Sequence, residues 1–96
     1  MYYQLSSGEA LHAAHPESFE IPERAERETV PVGGLVKLVF CFDDGTERMW
    51  VKVVKRYPDG NCMGTLDSEP LCKQLKRGTL VSFRPEHITK IYGRLA

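Results

Sequence analysis

At 96 residues, 42% of them hydrophobic and 27% charged, the chain is long enough for one hydrophobic core, too short for two, and composed as a globular domain rather than a disordered, collagenous or membrane-spanning one. Thirteen basic residues balance thirteen acidic ones, so no net field draws the molecule to nucleic acid or an acidic membrane, and any such attraction must be local. No apolar run is long enough to cross a bilayer, residues 1–5 lack the basic-then-apolar pattern of a secretory signal, and Cys41, Cys62 and Cys72 are widely spaced, so a cytoplasmic protein with reduced thiols is expected.

Ser6 with Glu9 has the spacing of a capping box and predicts a short helix through Ala10, Leu11, Ala13 and Ala14, which Pro16 stops within two turns. Residues 16–34 hold Pro16, Pro22, Pro31 and Gly33-Gly34 and read as an extended arm pinned by Phe19 and Ile21, with one helical turn possible over 23–28 after Pro22. From residue 35 the character changes to β-branched and aromatic. Residues 35–42 and 47–57 flank Asp43-Asp44-Gly45-Thr46 and form the clearest hairpin.

With Asp44-Gly45 as the two-residue turn, Phe40 faces Met49, Leu38 faces Val51 and Val36 faces Val53, an apolar inner stripe. A slip of one residue would turn Lys37, Arg48 and Lys52 inward, at a cost on the order of several kcal/mol for each unpaired charge. Pro58-Asp59-Gly60-Asn61 turns the chain into a strand at 62–66. A loop at 67–78, a strand at 80–83, a turn at Arg84-Pro85-Glu86-His87 and a strand at 88–92 follow. The expectation is a mainly β single domain over 1–96: a small, partly open five-stranded SH3-like or Sm-like barrel at 35–96, preceded by a short N-terminal helix and extended arm at 1–34.

Zinc-type ligation finds no support. There is no C-x-x-C, and His12 and His15 stand three apart with no further ligand nearby, so neither metal nor cofactor is expected. No cysteine is expected on a strand-to-helix elbow, adjacent Glu86 and His87 could form an acid/base pair but neighbours usually point apart and a turn that orders the last strand is the better reading, and Gly33-Gly34 opens no helix, so an enzyme is not expected. A concave pocket lined by Cys62, Cys72 or His87 beside a perturbed neighbour would count for catalysis.

The outer hairpin face is the better candidate. The expected register sets Trp50 opposite Val39, Lys37 opposite Lys52 and Arg48 opposite Cys41, and facing lysines imply either splayed, solvated side chains or an anionic partner. The plain alternative is a solvated face with Trp50 covered by the arm or by Phe19. A second cluster, Lys73, Lys76 and Arg77 with Arg84, could join Trp50 and Tyr57 in the cation-plus-stacking pattern of single-stranded nucleic-acid binders. The candidate binding residues are therefore Trp50, Lys37, Arg48, Lys52, Lys76 and Arg77.

Phe19-Glu20-Ile21-Pro22 with Arg24 and Glu28, Leu35-Val36-Lys37-Leu38, Glu47-Arg48-Met49-Trp50-Val51, Gly64-Thr65-Leu66 with Glu69-Pro70, Leu75-Lys76-Arg77-Gly78 and Pro85-Glu86-His87-Ile88 together resemble an uncharacterised family of small bacterial domains with a Met-Trp-Val strand motif, over residues 19–91. A looser likeness is to Sm-like proteins, whose strand, Asp-Gly turn, strand and Gly-x-Leu order is similar to Leu38 through Asp44-Gly45 and on to Gly64-Thr65-Leu66. That likeness implies oligomers and RNA, although the long 67–78 loop and the missing asparagine-bearing nucleotide pocket depart from it. The reading is a noncatalytic bacterial binding or assembly module without a membrane role. It engages a partner protein, such as a toxin that it neutralises, or itself as a homodimer; the alternative is an Sm-like RNA or single-stranded nucleic-acid binder.

Overall fold

Alternating apolar residues over 35–53 dictate a sheet with one buried face, and the computed structural model, which describes residues 3–93, has that sheet at its centre. In chain order the elements are β1 (Gln4–Leu5), α1 (Gly8–Ala14), α2 (Arg24–Glu28), β2 (Leu35–Phe42), β3 (Gly45–Arg56), β4 (Cys62–Leu66), β5 (Leu80–Phe83), a 3₁₀ turn at Pro85–His87 and β6 (Lys90–Ile91). Residues 1–2 and 94–96 of the expected domain, with part of the stretch read for a signal, lie outside the described residues.

All pairings are antiparallel. The path β1-β2-β3-β4-β5 curls into an open half-barrel, and β6 adds to β2. The fold is thus mainly β with a few short helices. The strands differ from expectation at both ends of the chain order: β1 is an additional strand of two residues, and the last strand shrinks to Lys90–Ile91. Both are too short to carry a period in sequence, and both exist because they line up on the same edge of β2, β6 against Val36 and Lys37, β1 against Phe40 and Cys41.

The hairpin register differs by two residues from expectation. Phe42 pairs with Gly45, so the turn is Asp43-Asp44, and Val36 meets Val51, Leu38 meets Met49 and Phe40 meets Glu47. An Asp44-Gly45 hairpin turn of either primed type needs positive φ at Asp44; here both aspartates keep negative φ and, in this turn, Gly45 alone takes a positive value, +146°. A shift of two preserves side-chain facing, so Val36, Leu38, Phe40, Met49, Val51 and Val53 are still buried together.

Beyond Val53 a bulge leaves Val54 unpaired and bends β3, which lets β4 and β5 fold over the core. Val30, Cys62, Leu66, Leu75, Val81, Phe83, Ile88 and Ile91 complete that core. The close approach of β3 and β4 depends on Gly64, where an added Cβ would stand 2.4 Å from Val51 Cγ1 and 2.6 Å from the Lys52 carbonyl oxygen.

The N-terminal helix is capped by Ser7, whose hydroxyl accepts from the Ala10 amide at 3.1 Å, and not by the expected Ser6–Glu9 box. Ser6 Oγ instead lies 2.8 Å from Cys41 Sγ, and Glu9 is drawn away by an arginine. That arginine is Arg27 of α2, only 5% exposed, which donates to Pro22 O at 2.9 Å, Glu9 Oε2 at 2.7 Å and Pro85 O at 3.1 Å. Helix, arm and 3₁₀ turn are thereby tied together. Residues 67–78 continue the edge of β3 where β4 ends: Asp67 N donates to Trp50 O, Trp50 N donates to Ser68 Oγ, and the Glu47 carboxylate accepts from the amides of Leu71 and Cys72.

Candidate functional site

The alternation that buries Met49, Val51 and Val53 turns Arg48, Trp50 and Lys52 outward from β3, and in the same way Lys37 points out from β2 and Lys90 from β6. Among the described residues of β2, β3 and β6, no carboxylate occupies an outward position. The outward face is therefore positive although the chain is neutral overall.

The two-residue register difference rearranges the expected pairs. Lys37 lies opposite Trp50 rather than Lys52, Arg48 lies opposite Val39 rather than Cys41, and Lys52 sits between Leu35 and Thr65. Lys37 still has a like charge beside it, since Lys90 is its partner across the β2–β6 pair. Like charges directly opposed on a sheet repel. Neither lysine forms an ion pair with a described carboxylate, nor does Arg48 or Lys52.

Trp50 is half-buried. The Lys37 ammonium stands 4.9 Å from its ring centroid, and exposed Tyr92 meets it edge-on at 5.8 Å and 85°. Phe19 packs over Arg48, its ring centroid 5.2 Å from the guanidinium carbon. Between the arm and the sheet runs a cleft of about 330 Å³ with Glu17, Phe19 and Glu20 on one side and Lys37, Arg48 and Lys90 on the other.

Of the six expected residues, the fold brings Lys37, Arg48, Trp50 and Lys52 onto one face. Lys76 and Arg77 lie on the loop leading into β5, across the sheet from β6. Arg77 is engaged within the chain, 3.1 Å from Asp67 and 3.9 Å from Glu69. Sequence reasoning missed Lys90 and Tyr92 as members of the face. The last strand was foreseen, but no local signal says which strand it joins.

A larger cleft of about 460 Å³ is lined by Tyr57, Cys62, Met63, Phe83, Arg84 and His87, so two of the three residues watched for catalysis do share a concave site. Burial pushes the Cys62 thiol up and the His87 imidazole down from their ordinary values. His87 Nδ1 accepts from the Arg84 amide at 2.9 Å, which places the ring proton of the neutral form on Nε2. A thiolate paired with an imidazolium needs both shifts in the opposite direction. Among the described residues no three His, Cys, Asp or Glu side chains converge as a metal site would require.

No family model matches the chain, and no curated protein or solved structure does so either.

Proposed function

We propose that this chain is a noncatalytic docking module that holds a partner protein on the outward face of β2, β3 and β6, centred on Trp50. One observation carries the reading: Lys37, Arg48, Lys52 and Lys90, none in an ion pair with a described carboxylate, surround a half-buried Trp50 and an exposed Tyr92. Tryptophan, tyrosine and arginine dominate binding energy at protein interfaces, and unopposed charge beside them steers a complementary partner. Burial raises the Cys62 thiol and lowers the His87 imidazole in the larger cleft, which disfavours the thiolate–imidazolium pair that nucleophilic catalysis there would need and supports a binding role.

Kinship with SH3-like or Sm-like barrels belongs to the same proposal, supported by the five-strand antiparallel path. The RNA-binding alternative draws on the pairing of lysines with aromatic rings. Protein is favoured over RNA because Arg77 is neutralised by acids of its own loop and the chain as a whole carries no net positive charge to hold a phosphate backbone.

Capture from lysate of the native host tests this, comparing the wild type with Trp50→Ala and with the double variant Lys37→Glu/Lys52→Glu, each checked for fold by circular dichroism. Both variants should lose a protein that the wild type retains. Identical capture on all three removes the face from consideration, and capture abolished by nuclease transfers the function to RNA.

A further inference from the structure

Residues 17–20 of the arm already lie against one end of the outward face and show what that face accepts. The His12 ring, with Nδ1 2.7 Å from the Phe19 carbonyl oxygen, holds the strap in place. Phe19 then stacks on Arg48, and Glu17 and Glu20 line the cleft opposite Lys37, Arg48 and Lys90. An aromatic ring flanked by carboxylates is thus the chain's own complement to this surface. The strap reaches only part of it: Tyr92 is 69% exposed, Lys52 is exposed, and Trp50 meets Lys37 and Tyr92 rather than Phe19.

We infer that the partner presents an acidic segment carrying an aromatic residue, which docks on the uncovered part of the face with its ring against Trp50 and Tyr92 and its carboxylates beside Lys37, Lys52 and Lys90. The inference rests on the docking reading of this face and names the chemistry of its occupant. Charge complementarity selects this occupant: every charged side chain pointing outward from β2, β3 and β6 is cationic, and like-charged Lys37 and Lys90 are set opposite one another by strand register. A carboxylate between them removes the repulsion that the free protein carries. The aromatic requirement follows from Trp50 and Tyr92, set edge-on and leaving ring surface in water.

The test uses an acetylated and amidated peptide of two Glu-Ser-Phe-Glu repeats, with one control in which lysine replaces glutamate and another in which alanine replaces phenylalanine. Trp50 is the single tryptophan of the chain and the peptides contain none, so its fluorescence reports binding directly, and amide chemical shifts locate the bound peptide. The acidic aromatic peptide should bind about tenfold or more tightly than either control, weaken as salt rises, and shift the amides of Lys37, Trp50, Lys52 and Lys90. Lys52→Glu, and separately Lys90→Glu, should each weaken it by a similar factor while leaving the thermal midpoint near that of the wild type. These two side chains are exposed, so loss of fold does not confuse the result.

Equal binding of the lysine peptide overturns this inference alone, provided the shifts still fall on β2 and β3. Shifts that fall on the Cys62–His87 cleft overturn both this inference and the docking face. A doubled mass by light scattering without peptide, reversed by Phe19→Ala, would assign the surface to the arm of a second copy and overturn the partner named here.

Discussion

Arg27 gives the sharpest test of how this fold is held together. Its side chain is only 5% exposed, and its guanidinium satisfies the carbonyl oxygens of Pro22 and Pro85 and the carboxylate of Glu9, thereby joining arm, 3₁₀ turn and α1. Replacing it with methionine retains most of the stem volume, so the packing loss is small. What remains is three acceptors without a donor. The Pro22 carbonyl belongs to a buried residue and costs about 1 to 3 kcal/mol when stranded; Pro85 and Glu9 are partly exposed, rehydrate, and each cost less. Relief from burying a cation offsets part of this, leaving a net loss of about 3 kcal/mol. For a domain of this size that lowers the melting midpoint by about 12 to 24 °C. Arg27→Lys keeps the charge but reaches fewer acceptors with a single ammonium, and should fall between the two. Urea denaturation followed by circular dichroism and by Trp50 fluorescence measures both variants. A loss below about 1 kcal/mol for Arg27→Met would show that the three-way junction is not an anchor and refute the reasoning.

Gly64→Ala should cost about 2 to 3 kcal/mol by thermal melting, because its Cβ would press on the Lys52 carbonyl and the Val51 methyl; an unchanged midpoint would mean that β3 and β4 are not held at this distance. His87 has its folded-state pKa depressed, so the unfolded chain takes up a proton that the folded one refuses. Stability should then be full above about pH 6.5 and decline as pH falls from there toward the lowered folded value. His87→Asn, which retains an acceptor for the Arg84 amide, should flatten that decline in urea midpoints measured at several pH values. Glu9, whose carboxyl Arg27 holds below its usual range, should contribute stability that is present above about pH 4.3 and lost as pH falls through its folded value; this acid limb should vanish in Glu9→Gln. Glu47→Ala should speed hydrogen exchange at the Leu71 and Cys72 amides about tenfold, since both lose their acceptor, whereas exchange elsewhere in the sheet should stay the same.

Facing was legible in the sequence and register was not. The alternation from Val36 to Val53 determines which side chains enter the core whatever the turn, and so it placed Lys37, Arg48, Trp50 and Lys52 on one surface. Which of them stand opposite one another depended on whether Asp44 would accept positive φ, a choice that local composition leaves open. The short helix and the turn over residues 24–28 were likewise readable from proline placement and cap spacing. The switch from Ser6 to Ser7 as cap was not, because it depends on Arg27 claiming Glu9 from eighteen residues away. Lys90 and Tyr92 joined the face for a similar reason: β6 pairs with a strand more than fifty residues earlier, and no local pattern encodes such a partner. Arg77 read as free charge in sequence because its counterions, Asp67 and Glu69, become neighbours only when the loop closes.

Two fragments from opposite ends of the chain share one flank of β2, and each contributes just two residues to its ladder. Short ladders open at little energetic cost, and the β2–β6 contact also bears the entropy of enclosing a long loop. Lys90 and Tyr92 thus stand on a shorter ladder than Trp50 and Lys52, held by Ile91 in the core and by the bonds of Thr89 and Tyr92 to Lys37 and Leu35. An occupant that bridges β3 and β6 would add contacts across the shortest pairing of the face, and opening of β6 should slow when the surface is filled.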